Sequence, residues 1–302
     1  MDLENIRKSF SILTKLVIIL IALGGAVRAM DAGMACPDWP LCFGRVIPDF
    51  NIKICFEVGH RFVAGLISFL SLTLALKLFR HKEAPQKIKT LMGVGLGVLA
   101  LQILMGGLTV LLSLHFSTVT MHLALAMTYL GILYWISFLL GTVQDATKPS
   151  VPGFFKKTVL AAVALIFVQI LLGGLVSSNY AGLACPDFPL CNGKLIPDMS
   201  GPQAGLVHIQ IIHRLGALTV LGFVIGLFVL ARTHKTAAWM HPRTPRLLLG
   251  VLMATLTQIL IGGMNVWFKI PPLVTVLHLV MAAAIFSMLL RVWFNTTRLP
   301  AA

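Results

Sequence analysis

The sequence predicts an all-α integral membrane protein with eight transmembrane helices, built as two repeated four-helix bundles. Three observations predict it. The chain of 302 residues is 58% hydrophobic and only 11% charged, with mean hydropathy +0.92. That is too little charge to cover a soluble surface of this size. Eight apolar runs are long enough to cross a bilayer as helices, which takes about 20 residues each. The third observation is an internal repeat. Ala32–Asp49 reads AGMACPDWPLCFGRVIPD and returns at Ala181–Asp198 as AGLACPDFPLCNGKLIPD, with 13 of 18 positions identical. The repeat divides the chain into an N-terminal half, residues 1–145, and a C-terminal half, residues 146–302.

Each span has a reason. The first, residues 10–30, carries Gly24-Gly25 and matches the fifth, residues 157–178, which carries Gly173-Gly174. Its length, its place in the repeat and the lack of a small-residue cleavage motif set it apart from a cleavable signal peptide. The second span, 57–79, opens on His60-Arg61, and the sixth, 206–231, carries His213-Arg214. The third, 91–114, contains Leu101-Gln-Ile-Leu-Met-Gly-Gly107, and the seventh, 246–268, contains Thr257-Gln-Ile-Leu-Ile-Gly-Gly263. The fourth, 117–140, and the eighth, 272–294, each begin close to one histidine, His122 and His278. The glycine pairs suit close helix packing, or room for a cofactor face.

The net charge of +14 does not mark a nucleic-acid binder. Seventeen of the 24 basic residues fall on one side of an eight-helix zigzag. They are Arg7, Lys8, Lys15, Lys77, Arg80, Lys82, Lys87, Lys89, Lys148, Lys156, Lys157, Arg232, Lys235, Arg243, Arg246, Arg291 and Arg298. Loops rich in Lys and Arg stay on the cytoplasmic side, so both termini are expected there. The expected neighbours of these charges are anionic lipid headgroups, and no nucleic acid is implied.

Both Cys-bearing loops then lie on the opposite, external side. Cys36 and Cys42 have five residues between them, as do Cys185 and Cys191. An oxidising compartment favours a disulfide within each loop. Neither segment contains a histidine to support a zinc site, and the Cys-x-x-Cys-His of c-type haem attachment is absent. Cys55 has no counterpart in the repeat and is expected to be unpaired.

With the helices alternating, His60, His122, His213 and His278 come to similar shallow depth below the external surface. Two imidazoles on facing helices suit the two axial positions of a haem iron, so His60 is paired with His122 and His213 with His278. A single membrane histidine is readily explained as a hydrogen-bonding side chain. Four at repeat-related positions point to two sites. His81, His234 and His241 belong to loops, and His115 and His208 have no repeat counterpart. Arg61 and Arg214 need anions within a membrane, and a haem propionate would serve. Glu57, four residues before Arg61, is the competing partner, whereas the same place before Arg214 holds Gln210. A carboxylate takes and gives protons and an amide does not, which marks the first half as the reaction site.

With these residues in place, the chain resembles the haem A synthase family of bacterial cytochrome oxidase assembly. The resemblance covers nearly the whole chain: eight helices, two halves, both histidine pairs, the Glu57-Val-Gly-His60-Arg61 segment and the paired Cys-x5-Cys loops of the Cys-containing branch. It implies oxidation of the C8 methyl of haem O to a formyl group by successive hydroxylation. It implies that His60 and His122 hold the substrate haem O, that His213 and His278 hold a haem b cofactor, and that Glu57 is an acid–base group. It also implies a bacterial inner-membrane setting, delivery from a haem O synthase, and an electron acceptor outside the chain. Homo-oligomer formation stays open. Two other classes compete: a diheme b-type cytochrome linked to quinol, and a haem transporter. Glu57 without a counterpart favours the synthase, and the bound pigments discriminate.

Overall fold

A computed structural model describes residues 2–142, 151–233 and 244–296. Lys148, His234, Lys235, His241, Arg243 and Arg298, and the proposed boundary between the halves, lie outside the described residues. The described residues form α1 (Leu3–Ala29), α2 (Ile52–Arg80), α3 (Gln86–Leu111), α4 (Phe116–Thr142), α5 (Gly153–Ser178), α6 (Ala204–Arg232), α7 (Thr244–Trp267) and α8 (Pro272–Thr296), with a 3-10 turn at Ala181–Leu183. No strand occurs among them. All eight helices are long and apolar enough to cross a membrane; at 24–29 residues each extends about 36–44 Å. The protein is therefore an all-helical, multi-pass membrane protein.

Several helices begin earlier than hydropathy predicts, because capping residues rather than apolar runs set their starts. Asp2 accepts from the Asn5 amide at 2.7 Å and starts α1. Asn51 accepts from the Lys53 amide at 2.9 Å and starts α2 at Ile52 rather than at residue 57. Pro85 and Pro152 stand immediately before α3 and α5, where a missing N–H costs nothing.

The chain divides into two compact units, residues 1–143 and 144–302. In the first, α1 packs on α2 and α4, and α3 packs on the same two, so α2 and α4 stand on a diagonal. α1 buries Ile6, Phe10, Leu13, Val17 and Ile21, spaced three and four apart along one stripe. In the second unit, α5 and α7 each pack on α6 and α8, which again leaves the two histidine-bearing helices diagonal. Large apolar side chains on the outer faces, such as Phe62, Phe69, Leu72 and Leu76 of α2, are exposed, as lipid contact requires.

Candidate functional site

Local chemistry shapes the two Cys-bearing loops. Cys36 is bonded to Cys42 and Cys185 to Cys191, with Cα–Cα distances of 4.8 and 4.6 Å, and Cys55 is free and exposed. Immediately after each ring the chain turns back on itself: Cys42 exchanges both backbone hydrogen bonds with Arg45, and Cys191 does so with Lys194. The two residues between have positive φ, 53° and 67° for Phe43-Gly44 and 54° and 71° for Asn192-Gly193. That is a type I′ turn, which Asn-Gly favours and for which Phe is unusual. An aspartate makes the turn tolerable. The Asp38 carboxylate accepts from the Phe43 amide at 2.7 Å and the Gly44 amide at 2.8 Å. Asp187 does the same for Asn192 and Gly193. The Gly44 and Gly193 amides, ahead of the smaller contributions of Phe43, Asn192 and the nearby arginines, hold both carboxyls below the usual range. The sequence reading did not single out these aspartates, although both sit inside the repeated Cys-Pro-Asp.

Each loop is then fastened to the helix bearing its unit's first histidine. Arg61 donates to the Asp38 carbonyl at 2.9 Å and to the Leu41 carbonyl, and pairs with Glu57. The other carboxylate oxygen of Glu57, which is only 4% exposed, accepts from the Cys36 amide at 2.8 Å. Arg214 donates to the carbonyls of Leu190, Cys185 and Asp187 at 2.6, 3.1 and 2.9 Å, and lies 5.5 Å from the Phe188 ring centre. Gln210, in the place of Glu57, donates to the Gly182 carbonyl at 3.0 Å. The loops therefore take up arginine donors that the sequence reading reserved for a propionate. Among the described residues Arg61 has a carboxylate partner and Arg214 has none within ion-pair distance.

The glycine pairs have a specific use. A Cβ on Gly24, Gly106, Gly173 or Gly262 would lie 3.0, 3.0, 3.2 or 3.0 Å from the Cε1 of His60, His122, His213 or His278 respectively. Each imidazole thus occupies a notch in the neighbouring helix that only glycine leaves open. The second glycine admits the loop: Cβ atoms on Gly107 and Gly263 would stand 2.9 Å from the rings of Trp39 and Phe188. At these six glycines the nearest atoms are side chains rather than the backbone of a neighbouring helix. Phe188 is held further by Trp267, whose indole N–H donates to the Phe188 carbonyl at 3.1 Å.

The four histidines start about 9–14 Å along their helices from the loop-bearing end, by the rise per residue. The His213 and His278 ring centres are 6.5 Å apart, with planes 70° to one another. Two imidazoles on opposite faces of one iron place their ring centres about 6 Å apart, from metal–nitrogen bonds of about 2 Å and the half-width of each ring. Among the described residues no group of three or more His, Cys, Asp and Glu converges. Two protein ligands are too few for a bare ion and are the right number for an iron whose other four positions belong to a macrocycle. His122 sets its Nδ1 3.1 Å from the Gln102 carbonyl and its Nε2 3.2 Å from the Gln102 amide nitrogen. The Gln169 amide lies 3.0 Å from His213 Nδ1 and donates to the His213 carbonyl. His60 Nδ1 is buried without a partner. Beyond the histidines, the Tyr129 hydroxyl of α4 donates to Ser71 of α2 at 2.7 Å, across the diagonal of the first unit. His115 and His208 bond to Ser117 and Ala204 at exposed positions and take no part.

The fold and the site define a class: a multi-pass helical membrane protein with a histidine pair and a clamped disulfide loop in each of two four-helix units. A family model described as cytochrome oxidase assembly protein matches residues 9–54 and 48–290, and the chain belongs to that family. The haem A synthase of Halalkalibacterium halodurans is 30% identical over 246 residues, 78% of this chain and 80% of that protein. The haem A synthase of Alkalihalophilus pseudofirmus is 30% identical over 242 residues, covering 77% and 80%. That of Geobacillus thermodenitrificans is 26% identical over 312 residues, covering 99% and 95%.

Proposed function

We propose that this protein makes haem A from haem O, oxidising the C8 methyl of the macrocycle to a formyl group. The observation that carries the reading is the buried Glu57 one helical turn before His60, in a family whose curated members are haem A synthases. Conversion of a methyl to an aldehyde adds one oxygen atom, as from water, and removes four electrons and four protons. It proceeds by hydroxylation to the alcohol, then to the geminal diol, which loses water. The electrons leave to an acceptor outside the chain.

His60 and His122 would hold the substrate haem O and so fix its methyl edge relative to Glu57, which is the orientation step. His213 and His278 would hold haem b, whose iron supplies a one-electron redox centre. Arg214, which donates to loop carbonyls and has no carboxylate within ion-pair distance among the described residues, would take a propionate on its remaining donors; Arg61 would do so at the first site. Glu57 would accept a proton as the methyl is oxidised. The Cys36–Cys42 loop, pinned by Arg61 and by Trp39, would close the end of the site against water. The Lys and Arg bias supports an inner-membrane topology with both termini cytoplasmic, residues 1–145 carrying the reaction and residues 146–302 the cofactor.

The test is Glu57→Gln in cells that make haem O, with haems extracted and separated by chromatography. Accumulation of haem O or a partly oxidised haem, with haem b retained, is expected. Near-normal haem A removes Glu57 from the mechanism. Two equivalents of haem b per chain and no haem O or A in the native protein would favour the diheme cytochrome instead.

A further inference from the structure

The same segment of each loop is left apolar and uncovered. Val46, Ile47 and Phe50 are 77%, 86% and 88% exposed. Leu195 and Ile196, which match Val46 and Ile47 in the repeat, are 83% exposed each. Phe43 joins them in the first loop at 59%, at a φ of 53° that suits the Asn192 of the second loop better. Large apolar side chains gathered in the open mark a contact with another apolar body. A basic residue, Arg45 or Lys194, precedes each aliphatic pair, and Arg45 pairs with Asp49 at 3.4 Å.

The fastening of the loops fixes their depth. A hydrocarbon layer about 30 Å thick takes about 20 residues of helix. Counted back from Lys77 and Arg232, at the basic ends of α2 and α6, that layer reaches Glu57 and Ile212. Glu57 and Arg61 hold the first loop at Cys36, Asp38 and Leu41. Arg214 holds the second at Cys185, Asp187 and Leu190, and its ring packs on Val207 and Ile211. Both loops are thus fastened where acyl chains meet headgroups, not above that level. The exposed row of Cys55, Phe62, Leu66 and Phe69 on α2 carries the lipid-facing surface of the helix up to the same depth.

We propose that residues 43–50 and 194–196 are lipid anchors. They seat in the leaflet on the loop side, with their apolar side chains at the acyl boundary and Arg45 and Lys194 at lipid phosphates. Basic and apolar side chains side by side are what an interfacial anchor presents. Each anchor follows directly on a disulfide ring. The leaflet therefore holds each ring from without, as Arg61 and Arg214 hold it from within. This contact is independent of what the histidine pairs bind.

The experiment uses the full-length protein in nanodiscs of phosphatidylcholine and phosphatidylglycerol. A bimane probe on the native Cys55, about 3 Å beyond Glu57 along α2, marks the headgroup level. In a Cys55→Ser background the probe is placed at Ile47→Cys and at Ile196→Cys. Two references frame them: Phe69→Cys in the lipid-facing row and Lys82→Cys in the segment after α2. A nitroxide near the carbonyl end of the acyl chain quenches from the lipid, and iodide quenches from water. At 47 and 196, nitroxide quenching like that at Cys55 is expected, with loss of iodide access relative to Lys82→Cys. Iodide access equal to that of Lys82→Cys, without nitroxide quenching, at either position overturns the inference. Shielding from both quenchers overturns it too, because a protein partner or a second copy covering the loops gives that result.

Discussion

On the proposed haem ligation by His278, adding one methyl group to the helix that faces it should release the haem without unfolding the helix. The choice is Gly262→Ala on α7. The new Cβ would lie 3.0 Å from His278 Cε1, whereas carbon atoms rest about 3.5–4.0 Å apart. The ring must therefore retreat by about 0.5–1 Å. A metal–nitrogen bond tolerates about 0.2 Å of error, so the displacement exceeds what axial coordination allows. Alanine is the better helix former by about 1 kcal/mol, so α7 itself gains. Gly173→Ala, at 3.2 Å from His213 Cε1, should act in the same sense and more weakly. Gly222→Ala on α6, with nothing within 4 Å, is the control. Visible absorption and haem content per chain are measured on purified protein. Six-coordinate low-spin haem b should give way to a five-coordinate high-spin form, or to loss of haem, in the order Gly262, Gly173, Gly222. An unchanged low-spin spectrum in Gly262→Ala would refute the notch as the device that seats the ligand.

Other outcomes follow from the same geometry. His213→Ala or His278→Ala should lose stably bound haem b while the protein remains inserted, as read by absorption and membrane fractionation; normal low-spin spectra in both would exclude the pair. Non-reducing peptide mapping should yield Cys36–Cys42 and Cys185–Cys191, with Cys55 alone alkylated; cross-loop pairing would contradict the two closed rings. The amides of Phe43 and Gly44 should be slow to exchange hydrogen while Asp38 is ionised. Its folded pKa lies below the unfolded value of about 3.9, chiefly through the Gly44 amide. The protection is therefore full above about pH 4 and lost as pH falls through the lower folded value. Asp38→Asn should show weak protection at every pH, and a native-like profile in that variant would exclude the carboxylate bracket.

The eight spans and the repeat-related placement of the four histidines were legible because they depend on long-range hydropathy and on a repeat. Helix starts were not, because Asn51 and Asp2 cap first turns that carry a charged residue, Lys53 or Glu4, ahead of the continuous apolar run. The glycine pairs were visible as glycines, but whether each faced a backbone, an imidazole or an indole depends on helix rotation, which one sequence does not state. Asp38 and Asp187 were hidden for a different reason. Each accepts two amides of the turn that follows its disulfide ring, a role set by loop geometry rather than by residue spacing. Arg61 and Arg214 were recognised as charges needing partners. That loop carbonyls would take most of their donors required the closed ring to be in place first.

On the proposed function the two units divide two tasks, and the Glu57/Gln210 position shows how that division is tested. Glu57 does structural service: one oxygen meets Arg61 and the other the Cys36 amide. An objection to any Glu57 variant is that the loop simply detaches. Gln210 answers it, because the second unit fastens an equivalent loop with an amide that donates to the Gly182 carbonyl. The residue matching Gly182 in the first unit is Gly33. Glu57→Gln therefore has a folded precedent within the same chain, with Arg61 still held by the Asp38 and Leu41 carbonyls as Arg214 is by its own loop. The substitution removes the ionisable group and leaves a fastening of the kind the protein already uses. A second contrast lies deeper in the bundle. Tyr129 and Ser71 hydrogen-bond across the first unit, where the repeat puts buried Ile285 and Val224 in the second. At these repeat-related positions the first unit has a carboxylate and a hydroxyl pair, and the second an amide and two aliphatic side chains.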